Sequence, residues 1–236
     1  MYQSKYVLYL VGGVKISETI IVQWIIMAFL IIASLILTRG LQKYPTTKRQ
    51  HFLELAISSL RNLVREIMGD VFVDKVTWMV PYIGTLLLFF ICSNLVTLMG
   101  LKSPTTDLDT TVAWSLITFF MIYIMGIRFR GIKYFKEFFE PTPLMFPLHL
   151  IGEIARPISL SFRPFGNILG GTIIMGLLYK LLGFISSLIP NMTIPVGQFL
   201  IPVPLHLYFD LFEGALQAFI FVMLTMVFVG SAARED

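Results

Sequence analysis

The chain has 236 residues, of which 56% are hydrophobic and only 14% charged, and its mean hydropathy is +0.81. A soluble domain carries about 25% charged residues, so the composition excludes one and leaves a helical bundle in lipid. The formal charge of +4 comes from basic residues scattered between apolar runs without an aromatic-interleaved patch, so no nucleic-acid partner is expected.

A membrane helix takes about 20 mostly apolar residues. The length therefore allows roughly five or six spans, and one membrane domain, residues 1–236, is expected. The N-terminal MYQSKYVLYLVGGVKIS has an apolar run of only about nine residues and no small-residue cleavage site, so it is expected to be retained. The first span is predicted from Glu18 to Leu37 within an N-terminal region of residues 1–45. It stops at a segment with Arg39, Lys43, Lys48 and Arg49, which the positive-inside rule assigns to the cytoplasm.

Residues 46–70 follow. There Phe52, Leu53, Ala56, Leu60, Leu63, Val64 and Ile67 recur at helical spacing among Glu54, Arg61, Arg65 and Glu66, the pattern of an amphipathic surface segment. A two-span hairpin is expected over 76–127: Trp78 to Met99, with the polar pair Ser93 and Asn94, then the loop GLKSPTTDLDTT, then Val112 to Ile127. Arg128, Arg130, Lys133 and Lys136 return the chain to the cytoplasmic side. Cys92, alone in its apolar run, offers neither a disulfide framework nor a metal-ligand set.

Two long apolar segments, about Leu144 to Ile189 and Gln198 to Ala233, complete the chain as a hairpin within residues 141–236. They are joined by the uncharged PNMTIPVG, which suits the outer face. The N-terminus is then outside and the C-terminus cytoplasmic. A 36-residue helix is about 54 Å long, against about 30 Å of hydrocarbon, so these two helices are expected to be tilted or kinked, with prolines at 157, 164, 202 and 204 as candidate kinks. The predicted fold class is all-α, a polytopic membrane helical bundle.

The same two segments hold the intramembrane charges. A charged side chain at mid-depth costs about 2.5–3.5 kcal/mol on insertion scales, so it persists mainly beside a water path or a partner. His149, Glu153, Arg156, Arg163 and Asn167 fall on one helical face, with Gly152, Gly166, Gly170 and Gly171 nearby to let another helix approach. Glu153 and Arg156 also read as an i,i+3 pair near the cytoplasmic end. Arg163 lies seven residues deeper with no acid within one turn, so its partner must come from another helix or another subunit. His206, Asp210, Glu213, Gly214 and Gln217 form a second stripe. Two acids one turn apart repel when both are ionised, which suits a relay or a vestibule for a cation; the bland reading is a water-facing helix end, and for Gln217 interhelical glue. No nucleotide loop, metal cluster or nucleophile elbow accompanies them, and no cofactor is expected.

At RPISLSFRPFGNILGG, residues 156–171, the chain resembles subunit a of the F-type ATP synthases. GALQAFIFVMLTMVFV, residues 214–229, resembles that family's last helix, and SPTTDLDTTVAWSLITF, residues 103–119, is similar as well. The resemblance implies a non-catalytic, ion-translocating stator subunit in a bacterial plasma membrane. Its partners would be a rotating c-ring of small hairpin subunits and the peripheral-stalk b subunit. It implies two half-channels that do not connect, with Arg163 as the essential arginine between them. Asn167 matches an asparagine one turn later, and Gln217 a glutamine facing the arginine. Asp210 falls at an ionisable position of the outer half-channel; His149 and Glu153 fall near the cytoplasmic exit. The chain departs from the family at Thr172, where many members carry glutamate, an exchange for which Glu213 is expected to compensate. It departs again at Pro164, where leucine is usual. The alternatives are a self-contained secondary transporter that binds an anionic substrate through Arg163, which the lack of an internal repeat disfavours, and a membrane-embedded enzyme using His206, Asp210 and Glu213.

Overall fold

The computed structural model describes residues 6–9, 15–43, 47–139, 142–188 and 197–234. The uncharged turn expected at the outer face lies outside these residues except for Gly197, as do most of the N-terminal segment expected to be retained and the last two residues.

Among the described residues, five helices are long and apolar enough to cross a membrane. The first, α1 (Glu18–Thr38), is preceded by a two-stranded antiparallel hairpin that the sequence reading did not foresee. Its strands are β1 (Tyr6–Tyr9) and β2 (Lys15–Ser17), with Tyr6 opposite Ser17. Thr19, fully buried at the start of α1, donates to Asp107, the residue preceding α5, and so ties the first span to the later bundle. Most of the rest of α1 presents Trp24, Phe29, Ile31, Leu35 and their neighbours outward, as a lipid-facing helix does.

Thr47 caps α2 (Lys48–Met68) by accepting from the Gln50 amide, and Gly69, at φ +91°, ends it. Phe52, Leu55 and Ile57 are exposed, whereas Val64 and Met68 are buried against α10. A short α3 (Asp70–Lys75) leads to α4 (Met79–Leu95), which one 3₁₀ turn prolongs to Met99. The next span, α5 (Leu108–Arg130), carries Arg128 and Arg130 in its last turn, where positive charge complements the helix dipole. It is followed by α6 (Lys133–Lys136).

The helix α7 (Phe146–Ser187) is 42 residues long and passes through Pro157 and Pro164 without a break. At 1.5 Å per residue it measures about 63 Å, twice the hydrocarbon thickness. Short α8 (Gly197–Leu200) precedes the last span, Pro202–Ala233. That span is composite: α9 (Pro202–His206), a π-helical segment Leu207–Glu213, and α10 (Gly214–Ala233). The centre of the bundle is α5, which packs against both α7 and α10, while α10 also packs on α4 and α2. One buried cluster joins Val64, Met68, Ile83, Ile122, Val222 and Met226; a second joins Phe90, Leu160, Ala218 and Phe221. The fold is thus an all-α polytopic membrane bundle with a small N-terminal hairpin added.

Candidate functional site

Among the described residues, α7 lines a cavity on each side of Arg163. The larger, about 750 Å³, is lined by Asn167, Gly171, Thr172 and Met175 of α7, His206, Asp210, Glu213 and Gly214 of the last span, Asn94, Glu18, and the loop around Lys102. The smaller, about 320 Å³, is lined by His149, Gly152, Glu153 and Arg156 of α7, with Arg130, Tyr134, Phe138, Ser231 and Ala232. A recess of about 260 Å³ runs from Gly152 and Arg156 to Arg163, walled by Leu160, Leu224 and Phe228.

At the larger cavity, Asp210 accepts from His206 Nδ1 at 2.7 Å, and His206 Nε2 lies 3.1 Å from the Tyr179 hydroxyl. A carboxylate only accepts, so Nδ1 carries the proton. In a neutral ring Nε2 then accepts from Tyr179, and a continuous hydrogen-bonded chain runs from α7 to the π segment. Glu213 and Thr172 line the same cavity; the Thr172 hydroxyl turns back to the Ile168 carbonyl at 2.8 Å.

At the smaller cavity, Glu153 is 7% exposed. Its carboxylate holds Arg156 at 2.6 Å and accepts from the Tyr123 hydroxyl at 3.3 Å. The Arg156 guanidinium lies 5.5 Å from the Phe228 ring centre, a cation–π placement. Burial, and then the nearby Glu153 carboxylate, push the Tyr134 hydroxyl above its usual pKa, so this hydroxyl stays neutral. His149 donates from Nδ1 to the Phe138 carbonyl at 3.0 Å and is exposed.

Between the cavities stands Arg163, half-buried, with no hydrogen bond or ion pair to another described residue. Asn167 donates to Gln217 Oε1 at 2.9 Å, and Gln217 is 2% exposed, so the glutamine's oxygen is taken by the asparagine. Beside Gln217 in sequence, Ala218 joins Phe90, Leu160 and Phe221 in a buried apolar cluster. Phe90 and Phe221 stack with ring centres 4.4 Å apart. This apolar block lines neither of the two cavities.

The structure therefore brings His206, Asp210 and Glu213 to one cavity and His149 and Glu153 to the other, with Arg163, Asn167 and Gln217 between. Sequence reasoning missed Tyr179, Tyr123, Glu18 and Asn94 as members of these sites. Only Asn94 gave a signal, as a polar residue in an apolar span.

The model of the family described as ATP synthase A chain matches residues 20–230. The chain is 39% identical to "ATP synthase subunit a, sodium ion specific" of Propionigenium modestum, over 93% of this chain and 75% of that one. It is 34% identical to ATP synthase subunit a 1 of Hahella chejuensis, over 95% and 88%, and 34% identical to the subunit a of Geobacter sulfurreducens, over 93% and 89%. With five apolar spans and charges gathered along the last two, the chain belongs to the ATP synthase subunit a family, the non-catalytic, ion-translocating membrane subunit of the Fo complex.

Proposed function

We propose that the larger cavity is the half-channel from the outer face, the smaller one the half-channel to the cytoplasm, and Arg163 the charge that keeps them apart against a c-ring. The observation that supports this is the common order of groups along two helices. On α7 the order is His149, Glu153, Arg156, Arg163, Asn167, Thr172; on the last span, read from its far end, it is Ser231, Phe228, Leu224, Phe221, Gln217, Gly214, Asp210. Both run from the smaller cavity, through the recess and the apolar block, to the larger cavity.

On this reading an ion enters beside Asp210, Glu213 and His206 and neutralises a carboxylate on the ring. Rotation carries that carboxylate through lipid and returns it to Arg163 from the other side. The guanidinium stays protonated in a protein, so it favours the ionised carboxylate, and the ion leaves through the recess past Glu153 and His149. Lysine would serve less well, because its pKa falls on burial. The orientation follows from Arg39, Lys43, Lys48 and Arg49 and from Arg128, Arg130, Lys133 and Lys136, which put the N-terminus outside and the C-terminus in the cytoplasm of a bacterial plasma membrane. The peripheral-stalk b subunit completes the stator.

The test is Arg163→Ala in the assembled ATP synthase. The ring is expected to co-purify while ATP-driven ion pumping falls to background; pumping that stays coupled would overturn the reading. The coupling ion on this reading is a proton, passed between groups that titrate. The name of the Propionigenium relative makes sodium the second reading, and the dependence of pumping on sodium concentration decides between them.

A further inference from the structure

Asp210 and Glu213 sit on the π segment Leu207–Glu213, the only stretch of π-helix among the described residues. π geometry occupies well under 1% of residues in proteins and mostly marks single turns at functional sites. Relative to an unbroken α-helix, one inserted residue turns what lies on either side of it by about 100°. Whatever holds this turn therefore sets where the two acids point.

The structure supplies a clamp at its end. Asn94, on α4 and 3% exposed, donates from Nδ2 to the carbonyl of Gly214 at 2.7 Å, where π geometry gives way to α10. Its Oδ1 accepts from the Thr105 hydroxyl at 3.0 Å, and Ser103 in the same loop donates to the Ser93 carbonyl at 2.6 Å. The amide's orientation follows, since a main-chain carbonyl only accepts and the NH₂ end must face Gly214. A Cβ at position 214 would lie 2.9 Å from Asn94 Cβ, so the approach requires glycine there. Asn94, Ser103, Asp210, Glu213 and Gly214 all line the larger cavity.

We propose that Asn94 is a positioning residue for ion transfer: locked by Thr105 on one side and bound to Gly214 on the other, it holds the π turn so that Asp210 and Glu213 face the larger cavity. The proposal rests on the reading of that cavity as the outer half-channel. An amide in a span is usually taken as glue between helices; here its partner is the backbone of the ion-binding turn.

The experiment uses the assembled ATP synthase carrying Cys92→Ser and Glu213→Cys, with and without Asn94→Leu, and measures alkylation at position 213 by a membrane-impermeant maleimide from the outer side. Asn94→Leu is expected to slow it at least about fivefold, the scale of one lost buried hydrogen bond. With Glu213 intact, the outer ion concentration for half-maximal ATP synthesis is expected to rise by a similar factor. Its dependence on the inner ion concentration should not change. If Asn94→Leu does not assemble, Thr105→Val and Gly214→Ala make the same two measurements, with a shift of roughly two- to threefold expected. Unchanged alkylation overturns this inference alone and leaves the channel reading intact. Slowed alkylation with unchanged outer-ion dependence overturns it too, and removes the larger cavity from the ion path.

Discussion

Arg163 was legible in the sequence because a permanent cation with no acid within one turn on its own helix must find a partner elsewhere, and in the folded chain it has none among the described residues. The pairing of Glu153 with Arg156 was legible for the same kind of reason, an i,i+3 spacing, but its depth was not. Glu153 is 7% exposed, and its carboxylate accepts from Tyr123, thirty residues away. Tyr179 was illegible as a site residue and Asn94 legible only as a polar residue in an apolar span, because their partners lie 27 and 120 positions along the chain and no local spacing announces them. At this scale the exchange of Thr172 for Glu213 becomes testable. Both line one cavity, and the threonine hydroxyl is spent on its own backbone, so the glutamate is the ionisable group of the two. Glu213→Gln is expected to cut ATP-driven pumping by about a hundredfold, the lower end of what one proton-transfer group contributes, while the ring still co-purifies. Unchanged pumping would show that Asp210 and His206 suffice.

The elements divide by how local their causes are. The 42-residue α7 could be read from an apolar stretch with no break stronger than a proline, and both internal prolines are accommodated. Each removes one hydrogen bond and leaves a carbonyl four residues back without its helical donor; for Pro164 that residue is Leu160, beside Arg163 in the recess. The π segment could not be read, because spacings of four and three among His206, Asp210 and Glu213 fit an α-helical stripe equally well. What selects the wider turn is tertiary contact with α4. The N-terminal hairpin was hidden because YVLYLV is too short and too uniform to separate a strand from a targeting segment. Contact of the same kind governs the crossing of α10 over α2, where a Cβ at Gly230 would stand 3.2 Å from the Met68 Cα. Backbone cannot yield as a side-chain tip can, so Gly230→Val is expected to destabilise the packing by about 1–3 kcal/mol, the usual cost of overpacking. It should be read as a lowered temperature for release of the chain from the detergent-solubilised complex. A temperature unchanged by the valine would mean that the two helices separate freely.

For the molecule as a whole, the decisive property is what the chain lacks when taken alone. Asn167, bonded to Gln217, lines the larger cavity, Arg163 lines the recess, and Phe90, Leu160, Ala218 and Phe221 form a buried cluster that lines neither cavity. Interiors packed in this way leave few voids that admit water, so on the proposed reading an ion finds no continuous wet route through the described residues. On the proposed reading it leaves one cavity, is carried around and returns at the other, and a second protein surface does the carrying. A secondary transporter would instead hold its substrate at a site reached alternately from both sides by its own rocking. The two readings differ in one measurement. Liposomes containing the purified chain alone, under an imposed ion gradient and membrane potential, are expected to leak no faster than protein-free liposomes. Liposomes containing the chain with its ring should pass ions, and Arg163→Ala should uncouple that passage from rotation. Substantial flux by the chain alone would mean that the apolar block opens, and that the separation of the cavities belongs to a single conformation and not to the mechanism.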